Sequence, residues 1–228
     1  AMFVAILSGT VVATALPVIV SELGGTQADY TWVITASLLA TTVSTPIWGK
    51  LADLFSRKLL LQLALMVFVG GTVVSGLAGD ITWLIAFRAI QGLGVGGLIA
   101  LGQVVIADII SPRERGRYMG IMGAVMAIGQ IGGPLAGGII TDSIGWRWNF
   151  YVALPFAVLA LVLLQRTLHL PTHRRKVTID YLGTALIITG VSSLLLWVSL
   201  GGHQFEWSSV TSWALGGGAI ALLAIATV

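Results

Sequence analysis

Apolar residues in this chain come in long, nearly unbroken runs, without the three-four spacing of an amphipathic helix or the alternation of a half-buried strand. Short polar stretches separate the runs. A helix needs about 20 apolar residues to cross the hydrocarbon core of a bilayer. Eight runs meet or approach that length, at 1–21, 30–49, 59–78, 83–110, 118–141, 150–164, 181–200 and 210–228. The sixth is short unless it takes in 146–149. The first contains Ala13-Thr14-Ala15, a signal-peptide-like tripeptide. It lacks a basic stretch ahead of it and seven more runs follow, so it reads as a spanning helix.

Composition agrees with this pattern. The chain is 57% hydrophobic and 9% charged, against roughly a quarter charged in soluble proteins. Its 29 glycines fall mainly inside the apolar runs, where they read as helix contacts and not as linkers. The expected fold is an all-α multi-pass membrane protein: a six-helix bundle over 1–166, a basic linker over 167–177 and two further helices over 178–228. Runs one to three and four to six have matching lengths, as in paired three-helix repeats.

The loop charges set an orientation. Lys50, Arg57 and Lys58 follow the second run, Arg113, Arg115 and Arg117 the fourth, and Arg166, Arg174, Arg175 and Lys176 the sixth. By the positive-inside rule these loops and the N-terminus are cytoplasmic, in the inner or plasma membrane. The opposite side carries Glu22, Asp29, Asp80, Asp142 and Glu206, with Arg147 its one basic residue. Trp32, Trp83, Trp146, Trp148 and Trp207 lie near that outer boundary, where interface anchors belong. The net charge of +3 is explained by these loops, so nucleic acid is not an expected partner.

Little conventional enzyme chemistry is encoded. There is no cysteine and no GxxxxGK phosphate loop, and His169, His173 and His203 all lie between runs. No metal, cofactor or catalytic residue is assigned, and the chain is read as a non-enzyme.

Three features stand out against the apolar background. Arg88 lies about six residues inside the fourth run, where a central cation costs roughly 2.5–3.5 kcal/mol on insertion scales. It either faces the bundle interior as a substrate or proton-relay cation, sharing a face with Gln91, or snorkels to the outer surface. At the cytoplasmic edge, Asp53 and Asp108 lie near Arg57 and Lys58, and Arg57 can pair with either acid. These are ordinary loop charges or a latch between helices that move. Within the fifth run, Gly129, Gly133 and Gly137 recur every four residues and form a stripe without side chains, on which two helix backbones can touch. Pro134 removes the bond its N–H would have made to the Gln130 carbonyl and predicts a bend. The stripe is either a packing face alone or part of a working contact.

These segments, in this order, resemble the major facilitator superfamily and its fourteen-helix drug:proton antiporter branch. GKLADLFSRK resembles the loop after the second helix, LIAFRAIQGLGVGG the fourth-helix arginine motif, and GQIGGPLAGG the antiporter motif GxxxGPxxGG. TVVATALP, WRWNFYVALP and the Asp180-Tyr181-Leu182-Gly183 entry to the seventh run are similar to the same branch.

The resemblance implies a proton-coupled, alternating-access exporter of drugs or other amphiphiles, with two six-helix bundles rocking about a midplane cavity. Arg88 and Gln91, with Ser8, Thr10 and Thr14, would serve the proton relay or substrate cavity. Asp53, Arg57, Lys58 and Asp108 would form a cytoplasmic charge cluster. Gly129, Gly133, Pro134, Gly137 and Gly138 would make a kinked contact with the opposite bundle. The implied partners are an amphiphilic or drug-like small molecule, protons, the lipid bilayer and the C-terminal bundle of the same protein. A lipid or metabolite exporter of the same fold and a non-transporting membrane scaffold are the alternatives.

Some positions depart from the pattern. Ser56 replaces a glycine, Ala153 an asparagine, and Ser8 stands where many relatives carry Asp. No acid then lies near mid-membrane, so the proton carrier is expected to be Asp108 or, preferably, a carboxylate in the second bundle. The runs stop inside the eighth, and six plus two helices cannot form the family's central cavity alone. The chain is therefore expected to be the N-terminal half of a longer transporter.

Overall fold

A backbone surrounded by lipid has no water to bond, so each apolar run must satisfy its N–H and C=O groups internally and becomes a helix. The computed structural model describes residues 2–168, 181–202 and 204–226. Its helices are α1 (Met2–Glu22), α2 (Gln27–Leu54), α3 (Arg57–Gly76), α4 (Ile81–Ile109), α5 (Arg115–Ile144), α6 (Trp148–Tyr151), α7 (Leu154–Thr167), α8 (Tyr181–Leu200) and α9 (Val210–Ile225). Among the described residues there is no strand, only an isolated bridge between Gly201 and Phe205. The three histidines, Asp180 and most of the basic linker lie outside the described residues.

Helix ends follow local chemistry. Thr26 and Asp29 form a reciprocal capping box at the start of α2. The Thr26 backbone N–H and then its hydroxyl hold the Asp29 carboxyl below its usual value. Asp80 caps α4 by accepting from the Trp83 N–H at 2.7 Å. Gly145, at φ 96, supplies the positive φ on which α5 ends and the chain turns toward α6. Helix α5 continues through Pro134.

Among the described residues, six segments are long and apolar enough to cross a membrane: α1, α3, α4, α5, the α6–α7 run Trp148–Thr167, and α8. The sequence pattern predicts eight. Helix α9 is described over only 16 residues. Helix α2 has ample length at 28 residues but carries many Ser and Thr, which lowers its hydropathy. The sixth run does gain length from its aromatic lead-in, through the short helix α6.

The main helix pairs are α2 with α4, α3 with α4, and α1 with α5. Exchanging the first three helices for the next three maps the α1–α5 pair onto the α4–α2 pair, the relation expected of two three-helix repeats. Helices α8 and α9 form a hairpin resting on α2 through α8. Trp197 secures it, donating to Ser212 Oγ at 2.8 Å and meeting Trp207 edge to face.

The core divides into two apolar clusters. One gathers Leu61, Leu65, Phe68, Leu98, Leu101 and Ala157. The other gathers Leu16, Ile19, Val33, Leu84, Trp146 and Phe150. Trp146 corrects the reading of the outer tryptophans as a uniform belt. It is only 2% exposed, its Nε1 donates to Glu22 at 2.7 Å, and Arg147 lies over its ring. Trp83, Trp148 and Trp207 remain exposed.

Candidate functional site

Between the two apolar clusters lies a layer of buried polar side chains. Ser8 falls between Ala5 and Val12 on α1, Thr72 between Phe68 and Ala78 after the middle of α3, and Gln91 between Leu84 and Leu98 on α4. Gln91 joins them. Its Nε2 donates to Thr72 Oγ1 at 2.7 Å and to Ser8 Oγ at 3.1 Å, and its Oε1 accepts from Arg88 Nη1. The Thr72 hydroxyl donates to the Phe68 carbonyl at 2.7 Å, so toward Gln91 it can only accept. That commitment orients the amide and presents its oxygen to the guanidinium. Close approach of α3 makes the contact geometrically available. An added Cβ on Gly71 would lie 2.6 Å from the Gln91 backbone nitrogen, so only glycine lets these backbones cross here.

Arg88 faces inward and is 9% exposed. With Gln91 it reaches a cavity of about 350 Å³ between α1, α2 and α4, floored by Phe68 of α3. The wall is apolar apart from Ser37, Thr41, Arg88 and Gln91. Of the five residues grouped from the sequence as a relay or cavity, Ser8, Gln91 and Arg88 are brought together. Thr10 and Thr14 are not. Thr10 turns to α5 and donates to the Gly129 carbonyl at 3.1 Å, while the exposed Thr14 bonds back to the Thr10 carbonyl. Thr72 was missed, since a lone threonine in an apolar run gives no signal of its partner.

At the end of the bundle bearing the clustered basic residues, Arg57 forms an ion pair with Asp108, the only salt bridge among the described residues. Of the two acids available to Arg57, Asp53 is not the one it pairs with. Arg57 opens α3 and Asp108 lies in the last turn of α4, so each charge opposes its own helix dipole. Pairing offsets both penalties and draws the two ends together. Lys58 instead donates to the Gln165 carbonyl of α7 at 2.8 Å. Arg115, not singled out from sequence, donates to the α4 carbonyl of Ala107 at 2.7 Å, where a cation complements the dipole. This edge therefore ties α3, α5 and α7 around the end of α4.

The glycine stripe of α5 has a definite partner. Gly129, Gly133 and Gly137 are buried against α1, where added Cβ atoms would meet Ile6, Thr10 and Val11. In this bundle the stripe lies on α1. Gly138 has nothing within 4 Å of an added Cβ. Pro134 itself lies on the exposed side of α5 with Ile131, Leu135 and Ile139, which are 69%, 67% and 69% exposed. Helix α4 carries a second set of close approaches. Gly92 and Gly96 admit the α2 backbone near Ser37 and Thr41, Gly94 admits the α3 backbone near Phe68 and Ala64, and Gly97 faces the Ala64 side chain of α3 and the Trp48 ring of α2.

Comparison with known proteins bears on this arrangement. The family model described as Major Facilitator Superfamily matches residues 1–228. The chain is 39% identical over 209 residues to the multidrug transporter protein MdtP of Bacillus subtilis strain 168, covering 92% of this chain and 38% of that protein. It is 43% identical over 216 residues to the efflux pump dotC of Dothistroma septosporum, covering 92% and 37%. The chain thus spans less than two-fifths of the length of these relatives. Among solved structures, the human organic anion transporter MFSD10 (TETRAN) aligns with a TM-score of 0.63 at 19% identity, over 87% of this chain and 54% of that one. The POT family transporter PepTSo aligns with a TM-score of 0.64 at 12% identity, over 99% and 51%. Those two likenesses concern the fold.

Proposed function

The chain belongs to the Major Facilitator Superfamily, and from that premise we propose that it forms the N-terminal half of a secondary exporter of drug-like or other amphiphilic molecules. The observation that carries the reading is Arg88, a cation held by Gln91, which Ser8 and Thr72 hold in turn, on the wall of a largely apolar cavity. A cation is expensive inside a membrane and is kept where it faces a cavity and does work. Apolar walls with few polar groups suit an amphiphile. The relatives named as a multidrug transporter and an efflux pump support the same reading.

In this proposal a second bundle completes the cavity and sits against the open face of α5 around Ile131, Leu135 and Ile139. The Arg57–Asp108 pair latches one end of the bundle in one of two alternating states, and the proton gradient drives the cycle. The basic end is cytoplasmic, in the inner or plasma membrane.

The test is export of a fluorescent drug by the complete protein in cells or vesicles, with and without an uncoupler. Proton-driven export that is lost in Arg88→Ala, with the variant still inserted in the membrane, supports the proposal. Normal export by Arg88→Ala removes the residue from the mechanism. Full assembly without any transport favours a scaffold.

A further inference from the structure

Among the described residues the cavity gives its cation no anionic partner. Ser8, the α1 residue in the network, is neutral, and the wall carries no carboxylate. Asp80, the cap of α4, lies about two turns from Arg88 along the axis, and its carboxylate accepts from the Trp83 N–H. Glu22 accepts from Trp146. Asp108 is engaged by Arg57 at the far end of α4.

Hydrogen-bond capacity tells the same story. Both hydrogens of the Gln91 amide and its oxygen are engaged within the network. The Thr41 hydroxyl bonds to the carbonyls of Ser37 and Gly92, at 2.8 and 3.1 Å. Arg88 differs: its Nη1 donates to Gln91, but its buried Nε has no partner among the described residues. A guanidinium offers five donors in a planar fork that matches a carboxylate, sulfonate or phosphate. One neutral amide leaves most of that capacity, and all of the charge, uncompensated.

Resting on the export reading above, we infer that the cavity selects amphiphiles bearing an anionic group, which docks on Arg88 while the apolar remainder lies along Val12, Leu16 and Val95. The substrate supplies the counter-charge that this bundle lacks. Gln91 and Thr72 hold the guanidinium in place for it.

The experiment compares 11-(dansylamino)undecanoate with its uncharged methyl ester, for binding to the purified complete transporter by fluorescence and for export from vesicles. A hydrogen bond to a charged group is worth enough to predict binding of the acid about ten- to hundredfold tighter than the ester. Arg88→Gln abolishes that preference, and Arg88→Lys retains part of it. Ser8→Asp places a competing carboxylate beside Gln91 and reduces it. The wild-type comparison and Ser8→Asp carry the test if Arg88→Gln fails to fold. Equal binding and export of acid and ester overturns the anion preference and leaves the export reading standing; an acid from the second bundle neutralising Arg88 gives this result. A preference that survives in folded Arg88→Gln also overturns it. Export of neither probe overturns the anion inference, and failure to export other amphiphiles as well overturns the export reading beneath it.

Discussion

Two adjacent glycines of α5 provide a controlled test of helix packing. An alanine Cβ at position 137 would lie 2.7 Å from the Val11 carbonyl oxygen and 3.1 Å from its Cα, whereas one at 138 would meet nothing within 4 Å. The obstacle at 137 is backbone, so no side chain can rotate away. Restoring an ordinary separation of about 3.5 Å requires α1 and α5 to part locally by roughly 0.8 Å. Overpacking of that kind costs about 1–3 kcal/mol. Both substitutions gain up to about 1 kcal/mol of helix propensity. That gain cancels between them, so their difference isolates the overlap. Gly137→Ala should therefore be less stable than Gly138→Ala by about 1–3 kcal/mol. Reversible denaturation of the purified complete protein in mixed detergent, titrated with SDS and followed by tryptophan fluorescence, measures that difference. Equal stabilities, or a greater loss at 138, would refute the packing of the stripe on α1.

Other consequences can be checked individually. Thr72→Val keeps the side-chain shape but removes the acceptor for Gln91, which should cost about 1–3 kcal/mol and impair export, while Thr72→Ser should recover most of both; full activity in the Val variant would separate Gln91 orientation from transport. A cysteine at Ser56 should be shielded from an impermeant thiol reagent in intact cells, and one at Thr26 should react; the reverse labelling would invert the proposed topology. Asp108→Asn should weaken the latch by about 0.2–1 kcal/mol, since each side chain of the pair is about 30% exposed or slightly less and solvent screens the interaction. Export by that variant with an unchanged pH response would move proton coupling away from Asp108.

Much of the helix pattern was legible because a membrane makes hydrophobicity and backbone satisfaction the same constraint. Helix partners were harder to read. Gly129, Gly133 and Gly137 announce a backbone contact at a spacing of four, but the stripe looks the same whichever helix lies on it. Only the assembled bundle identifies α1 and the Thr10 bond to Gly129. The glycines of α4 escaped notice as a packing device because they serve two faces, one pair four residues apart and the other three. Trp146 and Trp83 look alike at the end of an apolar run. What sets Trp146 apart is its place in the apolar cluster with Leu16, Ile19 and Phe150, and the bond from its Nε1 to Glu22, 124 residues distant in the chain. Arg88 and Gln91 drew attention because polar groups are costly in such a run, whereas Thr72 did not, since its hydroxyl can always return to a carbonyl one turn back.

The α4 glycines also bear on how the two ends of the bundle communicate. Arg88 at the cavity and Asp108 at the latch are carried by the same helix, about 30 Å apart at 1.5 Å per residue. No side chain spans that distance. Between them, Gly92 and Gly96 seat α4 against the α2 backbone and Gly94 seats it against the α3 backbone, at approaches too close for sliding without separation, while Gly97 faces the Ala64 side chain of α3 and the Trp48 ring of α2. Packed this closely, the three helices are expected to move as a unit, and under the export proposal a change at the latch would reach the cavity as a displacement of its α2 and α4 walls relative to α1. Within the export proposal the latch would govern when the cavity opens, whereas Arg88 would govern what it holds. Loss of the Arg57–Asp108 pair should then alter the rate of export while leaving the ratio of affinities for charged and uncharged ligands unchanged.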